Sequence, residues 1–168
     1  TKRIYSTYLG GSFDEVPHSL VTNSADELFI FGTTSSSDYP TSTNSYDQIF
    51  SGGTYINLAS GLGVVYLNGA DIIVSRLSAD GASLLASTFI GGSGTDGLNI
   101  SSSLCYNYAD ELRGEIDIDY NDNIYVATCT NSADFPITSG AYQIANAGGK
   151  DGCIVKMDNS LTTIIWSS

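Results

Sequence analysis

The chain has 168 residues, of which 42% are hydrophobic and only 14% charged, and its net charge is −12. That length makes one domain with room for a packed core, and the acidic balance excludes nucleic acid and anionic membrane surfaces as partners. Three cysteines (Cys105, Cys129 and Cys153) and one histidine, His18, do not make a disulfide framework or a zinc site, so neither metal nor cofactor is expected.

In chain order, residues 4–9 (IYSTYL) predict a strand closed by Gly10-Gly11. The phrase returns at residues 85–92 (LASTFIGG), 81 positions on, and begins again at 165–168 (IWSS), a further 80 on. Residues 18–23 (HSLVTN), a turn at Ser24-Ala25-Asp26, and residues 27–34 (ELFIFGTT) read as a β-hairpin, since two β-rich runs flank turn residues. Residues 28–40 (LFIFGTTSSSDYP) recur 96 positions on as 124–136 (IYVATCTNSADFP), preceded by GEIDID and a turn at 120–123. Pro40 and Pro136 mark strand ends, because proline cannot donate to a ladder. Loops containing Tyr46-Asp47-Gln48 or Tyr142-Gln143 then lead to Gly52-Gly53 or Gly148-Gly149. A second hairpin, 71–77 (DIIVSRL) with 84–90 (LLASTFI), recurs 80 positions on as 151–157 (DGCIVKM) with 163–168 (TIIWSS).

The changing offset locates two insertions, within residues 54–70 and 93–113. Neither predicts a helix beyond a turn or two at 106–112. The expectation is an all-β chain of β-propeller blades, about two four-stranded antiparallel blades plus one strand of a neighbouring blade. Residues 1–11 supply that last strand, 12–92 one blade with insertion 54–70, and 93–168 another with insertion 93–113. A β-sandwich is the alternative, but it gives no reason for self-similarity. The chain opens at Thr1 without a signal peptide and reads as a mature segment of something longer.

The combination of YSTYLGG (5–11), F-x-x-G-T-T-S-S-S-D-Y-P at 29–40, Tyr46-Asp47-Gln48 and D-I-I-V-x-R-L at 71–77 resembles the SBBP family of bacterial β-propeller repeats. The second copies at 89–92, 125–136, 141–143 and 151–157 resemble it too. Two departures stand out: the hairpin turns lack the family's usual glycine, and Thr128 replaces the strand glycine present at Gly32. The resemblance implies a large secreted or cell-surface protein of gliding bacteria that use type IX secretion, with the propeller beside adhesion-like domains. It implies a non-enzymatic scaffold or adhesion module. Two blades cannot close a ring, so the expected partners are the remaining blades or further copies of the chain, with a surface protein or a glycan as further possibilities. No membrane insertion is expected, because no run of 18 apolar residues exists.

In a four-stranded blade both insertions fall at one end, where long loops concentrate binding. They carry Tyr55, Asn57, Tyr66, Asn68, Asp96, Asn99, Tyr106, Tyr108, Asp110 and Glu111. Aromatic rings with amides and carboxylates suit a glycan or a protein surface; the plainer reading is packing. No catalytic residues are assigned: Asp110-Glu111 with Glu115 form the one acid grouping weighed for glycoside hydrolysis, and the spacing gives no separation to support it. Asp117–Asn123 looks like a calcium loop but has Asp122 and Thr128 where that loop needs Gly and Glu. Asp38, Asp134, Asp71 and Asp151 recur in both copies, which points to turn and strand-end hydrogen bonds.

Overall fold

The computed structural model describes residues 4–58, 63–101, 103, 105–107 and 109–168. They form an all-β protein with two four-stranded antiparallel sheets. The first holds β1 (Glu15–Thr22), β2 (Leu28–Thr34), β5 (Asp71–Leu77) and β6 (Leu84–Ile90), in that spatial order. The second holds β7 (Glu115–Ile118), β8 (Ile124–Thr130), β9 (Asp151–Met157) and β10 (Ile164–Ser167), again in chain order. Between β2 and β5 lies a small hairpin of β3 (Ile56–Asn57) and β4 (Val65–Tyr66).

Equivalent turns use the same chemistry. The Asn23 side-chain oxygen accepts from the backbone N–H of Ala25 (3.0 Å) and Glu27 (2.9 Å). Asp119 accepts from Asn121 (2.9 Å) and Asn123 (3.0 Å). These Asx turns place Asp26 and Asp122 in the left-handed region, both at φ 59, so aspartate fills the position where glycine is usual. The Gly32-to-Thr128 exchange has a local cause. At Gly32 the bulged β1 brings the Val16 carbonyl inside contact distance of any Cβ. In the second sheet β7 pairs only as far as Ala127, and Thr128 uses its hydroxyl to reach the Arg113 carbonyl at 3.1 Å.

The sheets stack with different faces together. Strand alternation and register put Phe29, Phe31, Ile72, Val74 and Ile90 on one face of the first sheet. They meet Ile116, Ile124, Val126, Val155 and Met157 of the second in one buried core. By position in the repeated sequence, those second-sheet residues correspond to the opposite face of the first sheet. The stacking therefore runs in one direction, each sheet offering unlike faces. At the tight-turn end, Asn23 donates to Asp122 at 2.9 Å and Arg76 to the Asn159 carbonyl at 3.0 Å.

One expected strand is missing. Residues 4–9 form no strand: Ile4 is 92% exposed, Tyr8 is fully exposed, and no strand among the described residues pairs with them. A strand without pairing gains nothing to offset its ordering.

Candidate functional site

The insertions do meet. Ile56, Leu58, Tyr66 and Ala70 of the first close over Leu98 of the second, with Leu112 at the margin, as a satellite core. A short 3-10 turn, Asp110–Leu112, lies in the second insertion, where at most a turn or two was expected.

Of the ten residues expected at this end, four are exposed, four are buried and Asn99 is half-buried. Tyr55 (60% exposed) and Tyr106 (81% exposed) face solvent, with Asn57 and Asn68 also exposed. Tyr108 lies outside the described residues. Tyr66, Asp96, Asp110 and Glu111 are buried and present no binding surface, which corrects the expectation for those four. The Tyr66 ring is needed to fill the satellite core. Its hydroxyl reaches Thr33 Oγ1 at 2.7 Å, and His18 Nε2 meets the same oxygen at 3.0 Å. Burial raises the Tyr66 phenol and lowers the His18 imidazole to about 4. His18 is half-buried and set edge-on to Phe31, with ring centroids 4.9 Å apart.

Asp110 accepts backbone N–H groups of Tyr106 (2.9 Å) and Asn107 (2.7 Å) and pairs with Arg113. Those Arg113 hydrogen bonds, first among the causes, hold its carboxyl down to about 2. Half-buried Asn99 donates its backbone N–H to the Glu111 carbonyl at 2.8 Å. These groups are committed to shaping the loop, and Glu115 accepts from Ser19 across the sheets at 2.8 Å.

Asp96 belongs to a joint between sheets. It accepts from Ser132 (2.8 Å), from the Gly92 N–H (2.8 Å) and from Thr130. Glu15, 81 positions earlier, does the same for Ser36, the Gly11 N–H (3.1 Å) and Thr34 (2.8 Å). Asp38 and Asp134 complete the joints, accepting the N–H of Ser12 (2.9 Å) and Ser93 (2.8 Å). The signal was legible: the 81-residue offset continues past Gly92 to Asp96, so the insertion begins only after it. Asp71 lies beside Asp96, the two carboxylates flanking Gly91. It accepts the N–H of Ser51 (2.6 Å) and Gly52 (3.1 Å), yet burial outweighs these bonds and pushes its pKa up to about 7. Burial also raises Asp96.

Among the described residues, no three His, Cys, Asp or Glu side chains are grouped to hold a metal ion. No described helix is long and apolar enough to cross a membrane. The cysteines are unpaired: Cys153 is in the core, and Cys105 donates weakly to the Asn99 carbonyl.

A shallow concavity of about 460 Å³ is lined by Asn99, Arg113, Gly114, Thr128 and Lys150 among others. A cavity of about 350 Å³ opens beside β9, lined by Phe135, Ile137, Tyr142, Ile144, Cys153 and Ile154 among others. Compared with known proteins, the chain matches no family model, and no curated protein matches it.

Proposed function

We propose that the two sheets are consecutive blades of a β-propeller of the SBBP kind, serving as a non-enzymatic scaffold or adhesion module of a secreted or cell-surface bacterial protein. The observation that carries this reading is the one-directional stacking of two sheets with the same strand order. Two sheets stacked this way leave end faces that only further units can bury. The face of the second sheet with Tyr125, Ala127, Ile154 (46% exposed) and Trp166 (39% exposed) remains open. Further blades, or copies of the chain, are the partners it calls for. Limited proteolysis of intact source cells tests the placement. Release of peptides from this chain supports it; release only after lysis overturns it.

A second reading, carbohydrate recognition at the insertion end, draws on the exposed rings of Tyr55 and Tyr106. A glycan array probed with the chain and with Tyr55→Ala and Tyr106→Ala tests it. A glycan signal lost in both variants supports recognition; no signal, or one unchanged in both, removes it.

A further inference from the structure

We propose that Cys105 and Cys129 are a redox pair, which a low-molecular-weight disulfide converts into one protein disulfide that ties the second insertion to β8. Both are free thiols in this structure. The fold brings them to one short stretch of chain. β7 pairs with β8 as far as Ala127, and beyond it residues 95–97 take its place, with Asp96 opposite Thr130. Asn131 donates its N–H to the Thr95 carbonyl (3.0 Å), and Gly97 donates its own to the Cys129 carbonyl (2.8 Å). Next along the stretch, the Leu98 carbonyl accepts from the Lys150 ammonium. The Asn99 carbonyl then accepts from the Cys105 thiol at 3.2 Å. Asn99, Cys129 and Lys150 line the same shallow concavity. Two cysteines and an ammonium group therefore converge on Gly97-Leu98-Asn99.

The electrostatics agree with that placement. Burial raises the Cys129 thiol, the Lys150 charge beside it lowers it, and Cys105 raises it further. Strand geometry excludes Cys153 as the partner of Cys129. Cys153 stands opposite Thr128, while Cys129 stands opposite Gly152. Alternation therefore sends the Cys153 side chain to the other face, where it is 2% exposed in the core.

The first copy uses the same strand position to anchor an insertion by weaker means. Thr33 stands 96 positions before Cys129, and the Tyr66 hydroxyl of the first insertion reaches its Oγ1 at 2.7 Å. In the second copy the strand offers a thiol and the insertion carries another. A hydrogen bond in one copy corresponds to a covalent bond in the other, made by oxidation and broken by reduction.

Cys105 lies on the loop and meets the oxidant first. Its thiolate attacks one sulfur of the small disulfide, which forms a mixed disulfide and releases one small thiol. The Cys129 thiolate then attacks Cys105 Sγ and releases the second small thiol. One S–S bond is broken and one is formed, and two protons and two electrons pass from the protein to the oxidant. The new bond fixes the loop next to Tyr106, whose ring is 81% exposed. This inference goes beyond the proposed stacking of blades and does not rest on it.

The test incubates the chain with oxidised glutathione, blocks remaining thiols with iodoacetamide and maps a tryptic digest by mass spectrometry. Cleavage after Arg76, Arg113, Lys150 and Lys156 leaves the three cysteines on three peptides. The expected result is a Cys105–Cys129 cross-link that forms at one rate across a dilution series, lowers the mass of the chain by about 2 Da and is reversed by dithiothreitol. Amide exchange over residues 99–113 should slow roughly tenfold on oxidation. Cys129→Ser keeps a hydroxyl where the first copy has Thr33, and should stop at the glutathione adduct on Cys105. Cys105→Ser should form neither adduct nor cross-link and show no slowing. Glutathione retained on Cys105 of the native sequence, with Cys129 still free, overturns the pair. A link through Cys153, or one between copies that grows with concentration, overturns it as well. A cross-linked chain whose exchange over 99–113 is unchanged overturns the tie to the insertion.

Discussion

The same face appears twice in this molecule, once buried and once open. In the first sheet it carries Phe29, Phe31, Ile72 and Val74, all fully or almost fully buried against the second sheet. In the second sheet the equivalent positions are Tyr125, Ala127, Gly152 and Ile154, half-buried or exposed. Arg76 and Lys156, also equivalent, both lie over a ring: Arg76 over Phe29 at 5.5 Å and Lys156 over Tyr125 at 4.7 Å. Only Arg76 also reaches across to the next sheet, at Asn159. Two of the four open positions carry smaller residues, Ala127 and Gly152, and Tyr125 adds a hydroxyl to the ring. One fold element can serve as interior or as surface, and burial rather than strand geometry sets its composition.

The largest break in this comparison should come from Phe31→Ala. Removing a fully buried ring that also packs against His18 is expected to cost about 3–5 kcal/mol, whereas Ile154→Ala on the open face should stay within about 0.5 kcal/mol. Urea unfolding of both variants measures the difference. Next is Arg76→Ala, which leaves Glu27 without its partner and cuts the tie to Asn159; the expected loss is about 1–3 kcal/mol. Lys156→Ala removes contacts within its own sheet alone, the pair with Asp119 at 3.1 Å and the seat over Tyr125, and should cost about 1 kcal/mol or less.

The buried polar groups sharpen the comparison through pH. Asp71, raised to about 7 in the fold, takes up a proton before the unfolded chain does. Its contribution therefore favours folding increasingly as pH falls from about 7 toward 4. His18, lowered to about 4, works the other way: the unfolded chain protonates first below about 6.5, so stability is lost as pH falls to 4. The two act in opposite directions in the native chain. Thermal unfolding between pH 4 and 7 should show Asp71→Asn losing stability on acidification and His18→Gln gaining it, each by roughly 1–3 kcal/mol over the window. Below pH 4 all three proteins should weaken, because Asp110, held near 2, is then forced to protonate.

The smallest expected effect concerns the left-handed turns. Asp26→Gly should stabilise by a few tenths of a kcal/mol by relieving the Cβ. Asp122→Gly forfeits the cross-sheet bond from Asn23 and should come out neutral or slightly worse. Calorimetry on the pair reads the difference.

Much of the fold was legible because the period-2 runs and their punctuation repeat. Strands β5, β6 and β9 have the predicted limits, and the other long strands differ only at their ends. Residues 4–9 form no strand in this chain, because strand propensity needs a neighbouring strand to act on. The site was less legible. Tyr66 and Tyr106 are alike as residue types, but one is needed to close a satellite core over Leu98 and the other is not. Only the tertiary contact between the insertions separates them. Asp96 and Asp110 could be counted as surface carboxylates until their backbone N–H partners were seen.

The central claim is that equivalent positions 74 and 154 are interior and surface of the same kind of face. Single cysteines at each, in a Cys105→Ser, Cys129→Ser, Cys153→Ala background, would be labelled with a thiol reagent under native conditions across a dilution series. The account predicts rapid labelling at 154 in dilute solution and labelling at 74 only at the rate of global unfolding. Comparable rates at the two positions, or protection of 154 that survives dilution, would contradict it.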